Sequence, residues 1–157
     1  MSQILVVAGP TASGKTGLAV RLAKEYGGEV ISADSMQIYQ HMNVASAKPT
    51  IDEMQGIPHH LLDFVSPFDP FSVADYVKLA KEKIEDILSR GKLPIIAGGT
   101  GLYISSLVDN IEFLEEESDP AVRDRLFSEL GENGIEPLYA RLQEIDPQAA
   151  ANIHPNN

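Results

Sequence analysis

Eight consecutive residues, Gly9-Pro10-Thr11-Ala12-Ser13-Gly14-Lys15-Thr16, fit the spacing G-x-x-x-x-G-K-[ST]. In that pattern glycines let backbone N–H groups converge on an anion. At average residue frequencies a chain of 157 residues meets it by chance roughly once in two hundred. Lys15 then neutralises phosphate oxygens, and Thr16 offers its hydroxyl to a magnesium ion that the phosphates also hold. Asp34, in Asp34-Ser35-Met36-Gln37-Ile38-Tyr39, is a candidate base, a partner behind such an ion, or the cap of the turn that follows it. Gln37 carries an amide able to pair with a nucleobase edge, and otherwise reads as a surface glutamine. In Gly98-Gly99-Thr100-Gly101 the glycines allow close backbone approach to a ligand, with Thr100 as a site hydroxyl; an ordinary strand-to-helix turn is the alternative. His59 and His60 are adjacent, so on a strand they face opposite ways and do not share an ion.

These residues need an α/β scaffold. Gln3–Ala8, β-branched and continuously apolar, predicts a buried parallel strand that delivers the first motif to a helix over Gly14–Tyr26, with Leu18, Leu22 and Tyr26 on its apolar stripe. Glu29–Ala33 predicts a second strand ending at Asp34, and His60–Phe64 a third. Ser72 with Asp75 three residues later opens a helix running to Arg90, whose apolar face is Tyr76, Leu79, Ala80, Ile84, Ile87 and Leu88. Leu93–Ala97 is the next strand, followed by a helix over Leu102–Val108. Carboxyl ends of parallel strands face one crevice, which gathers the phosphate loop, Asp34 and Thr100. After Asp109 the texture turns helical: Glu115-Glu116-Glu117-Ser118-Asp119-Pro120 predicts a helix entry, and Val122, Leu126, Phe127 and Leu130, then Leu138, Leu142 and Ile145, recur at helical spacing.

Composition narrows the function classes. No apolar run approaches a membrane span, the N-terminus lacks the features of a signal peptide, and the absence of cysteine excludes disulfides and thiolate chemistry, so a cytoplasmic, membrane-free setting is expected. The net charge of -11 is uneven: nine basic and twelve acidic residues up to position 110, three and eleven beyond it. By itself that balance argues against a nucleic-acid surface in this chain, since such surfaces show a basic stripe. A GTPase would carry an N-K-x-D segment, which the sequence lacks; an ATPase would end an apolar strand on an acid, for which only Asp63 stands in. A small-molecule kinase stays open although no arginine-rich lid is visible, as does a non-catalytic nucleotide-binding module.

Six motifs in order, the phosphate loop, Asp34–Tyr39, Ala47-Lys48-Pro49, Pro58-His59-His60-Leu61-Leu62-Asp63, Gly98-Gly99-Thr100-Gly101-Leu102-Tyr103 and Ile153-His154-Pro155-Asn156, resemble the bacterial tRNA dimethylallyltransferase family. The resemblance spans the chain and corresponds to the N-terminal half of the family's length. It implies a P-loop NTPase-like three-layer fold with a parallel sheet over residues 1–108, and the start of an all-helical, tRNA-binding insertion over 109–157. It implies transfer of a dimethylallyl group from dimethylallyl diphosphate to N6 of an adenosine beside the anticodon, with diphosphate on residues 9–16, magnesium at Thr16, and Asp34 and Thr100 as catalytic residues. Asp34, Ser35, Met36, Gln37, Thr100 and Arg123 are implied to contact tRNA; for Arg123 a surface ion pair at i to i+4 is the alternative. No protein partner is implied, a monomer is expected, and the half-length chain is expected to bind diphosphate with little activity on tRNA. An adenylate isopentenyltransferase acting on free nucleotide is the runner-up within the resemblance.

Overall fold

Local sequence sets most of the boundaries. In a computed structural model of the chain, which describes residues 3–44, 46–111 and 119–154, strand β1 (Leu5–Ala8) runs into helix α1 (Lys15–Tyr26), and β2 (Gly28–Ser32) follows at once. A single turn of helix, α2 (Ile51–Met54), precedes β3 (His59–His60), then come α3 (Val73–Ser89), β4 (Leu93–Gly98) and α4 (Gly101–Val108). Thr50 with Glu53, and Ser72 with Asp75, close reciprocal capping boxes at the starts of α2 and α3, each satisfying two backbone donors that the helix leaves orphaned. Gly27 and Gly91 stop the helices before them with φ of 65° and 69°, a conformation that costs glycine nothing.

The chain forms two compact units, Met1–Phe113 and Leu114–Asn157. In the first, all four strands are parallel in the order β1-β4-β2-β3. Side chains alternate across β2 and β4, so Val30 and Ile95 pack with Val7, Ala19 and Ala23 on the α1 side. Ile31 and Ile96 pack with Tyr76, Ala80, Ile87, Tyr103 and Leu107 on the α3 and α4 side. Helices on both faces of a parallel sheet give the expected three layers. Tyr76 and Tyr103 stack at 4.0 Å between α3 and α4. Among the described residues no helix is long and apolar enough to cross a membrane.

Three expectations fail here. The third strand is only His59–His60, because Leu61 and Asp63 take φ of 56° and 55° and break the extended run before Phe64. β1 is not buried: it is an edge strand of this sheet, and of its core only Val7 is covered while Val6 is 37% exposed. On α1 the covered face is Ala19, Val20 and Ala23, small residues that let the helix approach the sheet closely; Leu18 and Tyr26 are exposed.

The second unit is helical: α5 (Pro120–Asn133), α6 (Glu136–Ile145) and α7 (Pro147–Ala151). Asp119 caps α5 through Ala121 N–H at 2.9 Å with Pro120 in the first turn, and Asp146 caps α7 through Ala149 N–H at 2.9 Å. The Tyr139 hydroxyl donates to Ala150 O at 3.0 Å, tying α6 to α7. The glutamate run at 115–117 and the Pro155-Asn156 end of the last motif lie outside the described residues.

One glycine ties the carboxyl ends of the strands together. A Cβ on Gly98 would stand 2.1 Å from the carbonyl oxygen of Ala33, whereas one on Gly101 meets nothing within 4 Å. Gly98→Ala is therefore expected to cost about 3 kcal/mol, the upper end of overpacking, and Gly101→Ala close to nothing. The shift in the denaturant midpoint of each variant measures the contrast; equal midpoints would refute it.

Candidate active site

The loop Gly9–Gly14 leaves β1 and enters α1 with Ala12 at φ 63° and Gly14 at φ 80°, ψ 14°. Gly14 occupies the N-cap with no side-chain cap, so the first amides of α1 are left to an incoming acceptor, at the positive end of the helix. Gly9 N–H donates to Gly98 O at 3.3 Å, which holds the loop against β4. Lys15 Nζ donates to Pro10 O at 2.5 Å and keeps two further hydrogens for an anion. A cavity of about 400 Å³ opens here. Its lining includes Thr11–Gly17, Asp34, Gln37 and Ala47–Pro49.

Asp34 sits one residue beyond Ala33, whose backbone bonds both Ala97 O and Thr100 N–H. One carboxylate oxygen accepts from Met36 N–H at 3.0 Å, so the capping role and the place in the pocket coexist. Thr100 Oγ1 accepts from Ser35 N–H at 2.8 Å and donates to Ser35 Oγ at 3.2 Å. Thr100 therefore holds the Asp34–Gln37 turn from β4 rather than standing alone. Gln37 is not a free surface amide: its Oε1 accepts from Ser32 Oγ at 3.1 Å and its Nε2 donates to Ala47 O at 2.9 Å. Met36 is exposed.

Lys48 is a residue to which sequence reasoning gave no role. Its ammonium donates to Tyr39 O, to Asn43 Oδ1 at 3.2 Å and to Asp63 Oδ1 at 2.5 Å, although its side chain is only 11% exposed. The hydrogen bond and charge of Lys48 hold the Asp63 carboxyl below its ordinary range. With all three hydrogens engaged, Lys48 braces the loop whose Ala47 carbonyl orients Gln37. Asp63, the stand-in for an ATPase acid, is spent on this brace. In the other unit, Arg123 lies with its guanidinium 5.6 Å from the centroid of the Phe127 ring, a cation–π contact; the alternative of an i to i+4 ion pair is not seen for it among the described residues.

Among the described residues no three His, Asp, Glu or Cys side chains are grouped to hold a metal ion. Thr16 lines this pocket, and its hydroxyl beside phosphate oxygens would make the sparse oxygen set that magnesium accepts.

The family model described as IPP transferase matches residues 37–157. A tRNA dimethylallyltransferase of Acetivibrio thermocellus is 54% identical over 157 residues, which cover 100% of this chain and 50% of that protein. Two solved structures share the fold. The full-length tRNA isopentenylpyrophosphate transferase of Bacillus halodurans superposes with a TM-score of 0.72 at 44% identity, over 100% of this chain and 52% of its own. A eukaryotic dimethylallyltransferase acting on tRNA gives 0.87 at 32% identity, over 100% of this chain and 39% of its own. The chain spans about half the length of the curated relatives it matches.

Proposed function

The chain belongs to the IPP transferase family, and from that premise we propose that residues 9–16 hold the diphosphate of dimethylallyl diphosphate while Asp34 serves an adenosine of tRNA beside the anticodon. The observation that carries the reading is the shared pocket: phosphate-loop amides, Asp34 and the braced Gln37 line one cavity of about 400 Å³. In the reaction the bond from adenosine N6 to the allylic carbon forms and the carbon–oxygen bond breaks. Its electrons go to diphosphate, and the N6 proton goes to the Asp34 carboxylate. Loop amides and Lys15 stabilise negative charge where it grows on the leaving group. Magnesium, when bound at Thr16, supplies further positive charge to the same oxygens. The adenine amine is a poor nucleophile because its lone pair is conjugated with the ring, so a positioned acceptor for its proton matters. Single-stranded loop bases are the ones most cheaply turned out of a stack, which suits an anticodon-side acceptor. Arg123, resting over Phe127, is kept as a candidate phosphate contact of the helical unit.

The test is calorimetric titration with dimethylallyl diphosphate and with ATP, each with magnesium. The diphosphate is expected to bind more tightly, and Lys15→Ala to weaken it by about tenfold to a hundredfold, the value of a hydrogen bond to a charged group. Tighter binding of ATP would move a kinase reading ahead and withdraw the roles given to Asp34 and Thr100.

A further inference from the structure

A recess of about 20 Å³ that shares Thr16 and Gln37 with the phosphate pocket is lined also by Ser32 and His59, with Val30 and Leu62 among its apolar residues. That volume holds one water molecule. His59 Nδ1 is 2.8 Å from Ile57 O; a carbonyl only accepts, so Nδ1 carries the hydrogen and Nε2 presents a bare lone pair. Burial pushes the imidazole below its ordinary value, with the nearby His60 adding to this and the Ile57 carbonyl opposing it, so the ring is neutral. Among the described residues Nε2 is buried and has no hydrogen-bond partner. A buried acceptor left in that condition costs about 1–3 kcal/mol, so a donor is required. No lining protein group is within hydrogen-bond reach of it. Ser32 spends its hydrogen on Gln37 Oε1. Gln37 has one amide hydrogen on Ala47 O and a second to spare, and the Thr16 hydroxyl enters no hydrogen bond among the described residues.

We infer that the recess is a hydration site whose single water donates to His59 Nε2 and accepts from the Thr16 hydroxyl, making His59 a positioning residue for Thr16. The inventory closes. The water has two acceptors to serve, His59 Nε2 and the second lone pair of Ser32, and two donors to receive from, Thr16 and the spare hydrogen of Gln37, within the two to four partners a buried water takes. A hydroxyl that turns its lone pairs to a cation on a phosphate must point its hydrogen away from that cation, and the water provides the destination. This role rests on the diphosphate-binding reading above; the hydration site itself does not.

The pair His59→Asn and His59→Gln separates the two nitrogens. Asparagine retains a donor for Ile57 O but loses the deep acceptor; glutamine puts an acceptor back at the depth of Nε2. In this chain, His59→Asn is expected to weaken diphosphate binding about tenfold with magnesium and not without it, and His59→Gln to restore it to within about threefold. A merely structural histidine would not give a magnesium-specific loss. Independently, nitrogen NMR of the unmodified protein should find His59 Nε2 unprotonated, and a crystal structure should show the water. A protonated Nε2 or a dry recess overturns the hydration site even if diphosphate binds well. A filled recess with equal losses in both variants, or losses without magnesium, overturns the positioning role. If the unmodified protein fails to bind magnesium diphosphate, the transferase reading falls and takes the positioning role with it, while NMR and crystallography still decide the hydration site.

Discussion

Asp34→Asn is expected to lower the rate of prenyl transfer by about a hundredfold to ten-thousandfold, the range a positioned general base contributes, while magnesium diphosphate affinity stays within about twofold. The substitution is chosen for what it preserves. An asparagine oxygen still accepts from Met36 N–H, the bond that Asp34 makes at 3.0 Å, so the turn carrying Ser35 and Gln37 keeps its shape. What is lost is the second carboxylate oxygen as an acceptor for the N6 proton. Single-turnover transfer and calorimetry on the same preparation give the two numbers. A variant slowed less than tenfold would remove Asp34 from proton transfer and leave it as a cap. A variant that loses diphosphate affinity in parallel would place Asp34 behind the cation instead. Thr100 acts on the same turn through Ser35, so its loss is expected to disturb both residues rather than to remove a reacting group.

What was legible in the sequence was what is local. The phosphate loop, the stop glycines and the Ser72–Asp75 box depend on residues a few positions apart, and they stand where the spacing put them. Carboxyl ends of parallel strands converge for topological reasons, so Asp34 could be placed in the crevice without knowing its partners. Burial was harder to read. Leu18 and Tyr26 have the right spacing for a core stripe, but contact with a sheet selects the small neighbours Ala19 and Ala23. The run from His60 to Phe64 looks extended, yet two residues with positive φ turn it into the loop that brings Asp63 to Lys48. Long-range pairings were invisible: Lys48 with Asp63 spans fifteen positions and Thr100 with Ser35 sixty-five.

The most consequential pairing of this kind surrounds Glu29, and its removal is expected to cost about 3 kcal/mol of stability. Glu29 opens β2 next to Gly28 with its side chain only 3% exposed, a position where an unpaired carboxylate could not persist. Arg90 grips both oxygens at 2.5 and 2.9 Å, Lys92 adds a bond at 2.7 Å, and His60 Nε2 lies 2.8 Å from the second oxygen. The network joins the end of α3 and the lead-in to β4 to two strands, at the end of the sheet away from Asp34. Truncating one partner of a buried ion pair costs about 3–5 kcal/mol, and the low end applies because the cations left by Glu29→Ala, Arg90 and Lys92, reach water, at 38 and 44% exposure. The Arg90 hydrogen bonds, reinforced by Lys92 and His60 against the penalty of burial, hold the Glu29 carboxyl far below its ordinary 4.5. A depressed carboxylate contributes stability that is fully present above the unfolded value and drains away as pH falls towards the folded one. Melting temperature of the unmodified protein should therefore drop as pH is taken below about 4.5, and Glu29→Gln should drop less steeply, because its amide has no proton to gain. Parallel melting curves for the two proteins would mean that other carboxylates bonded in the same direction, Asp75 to Ser72 and Asp86 to Arg90, carry the acid sensitivity.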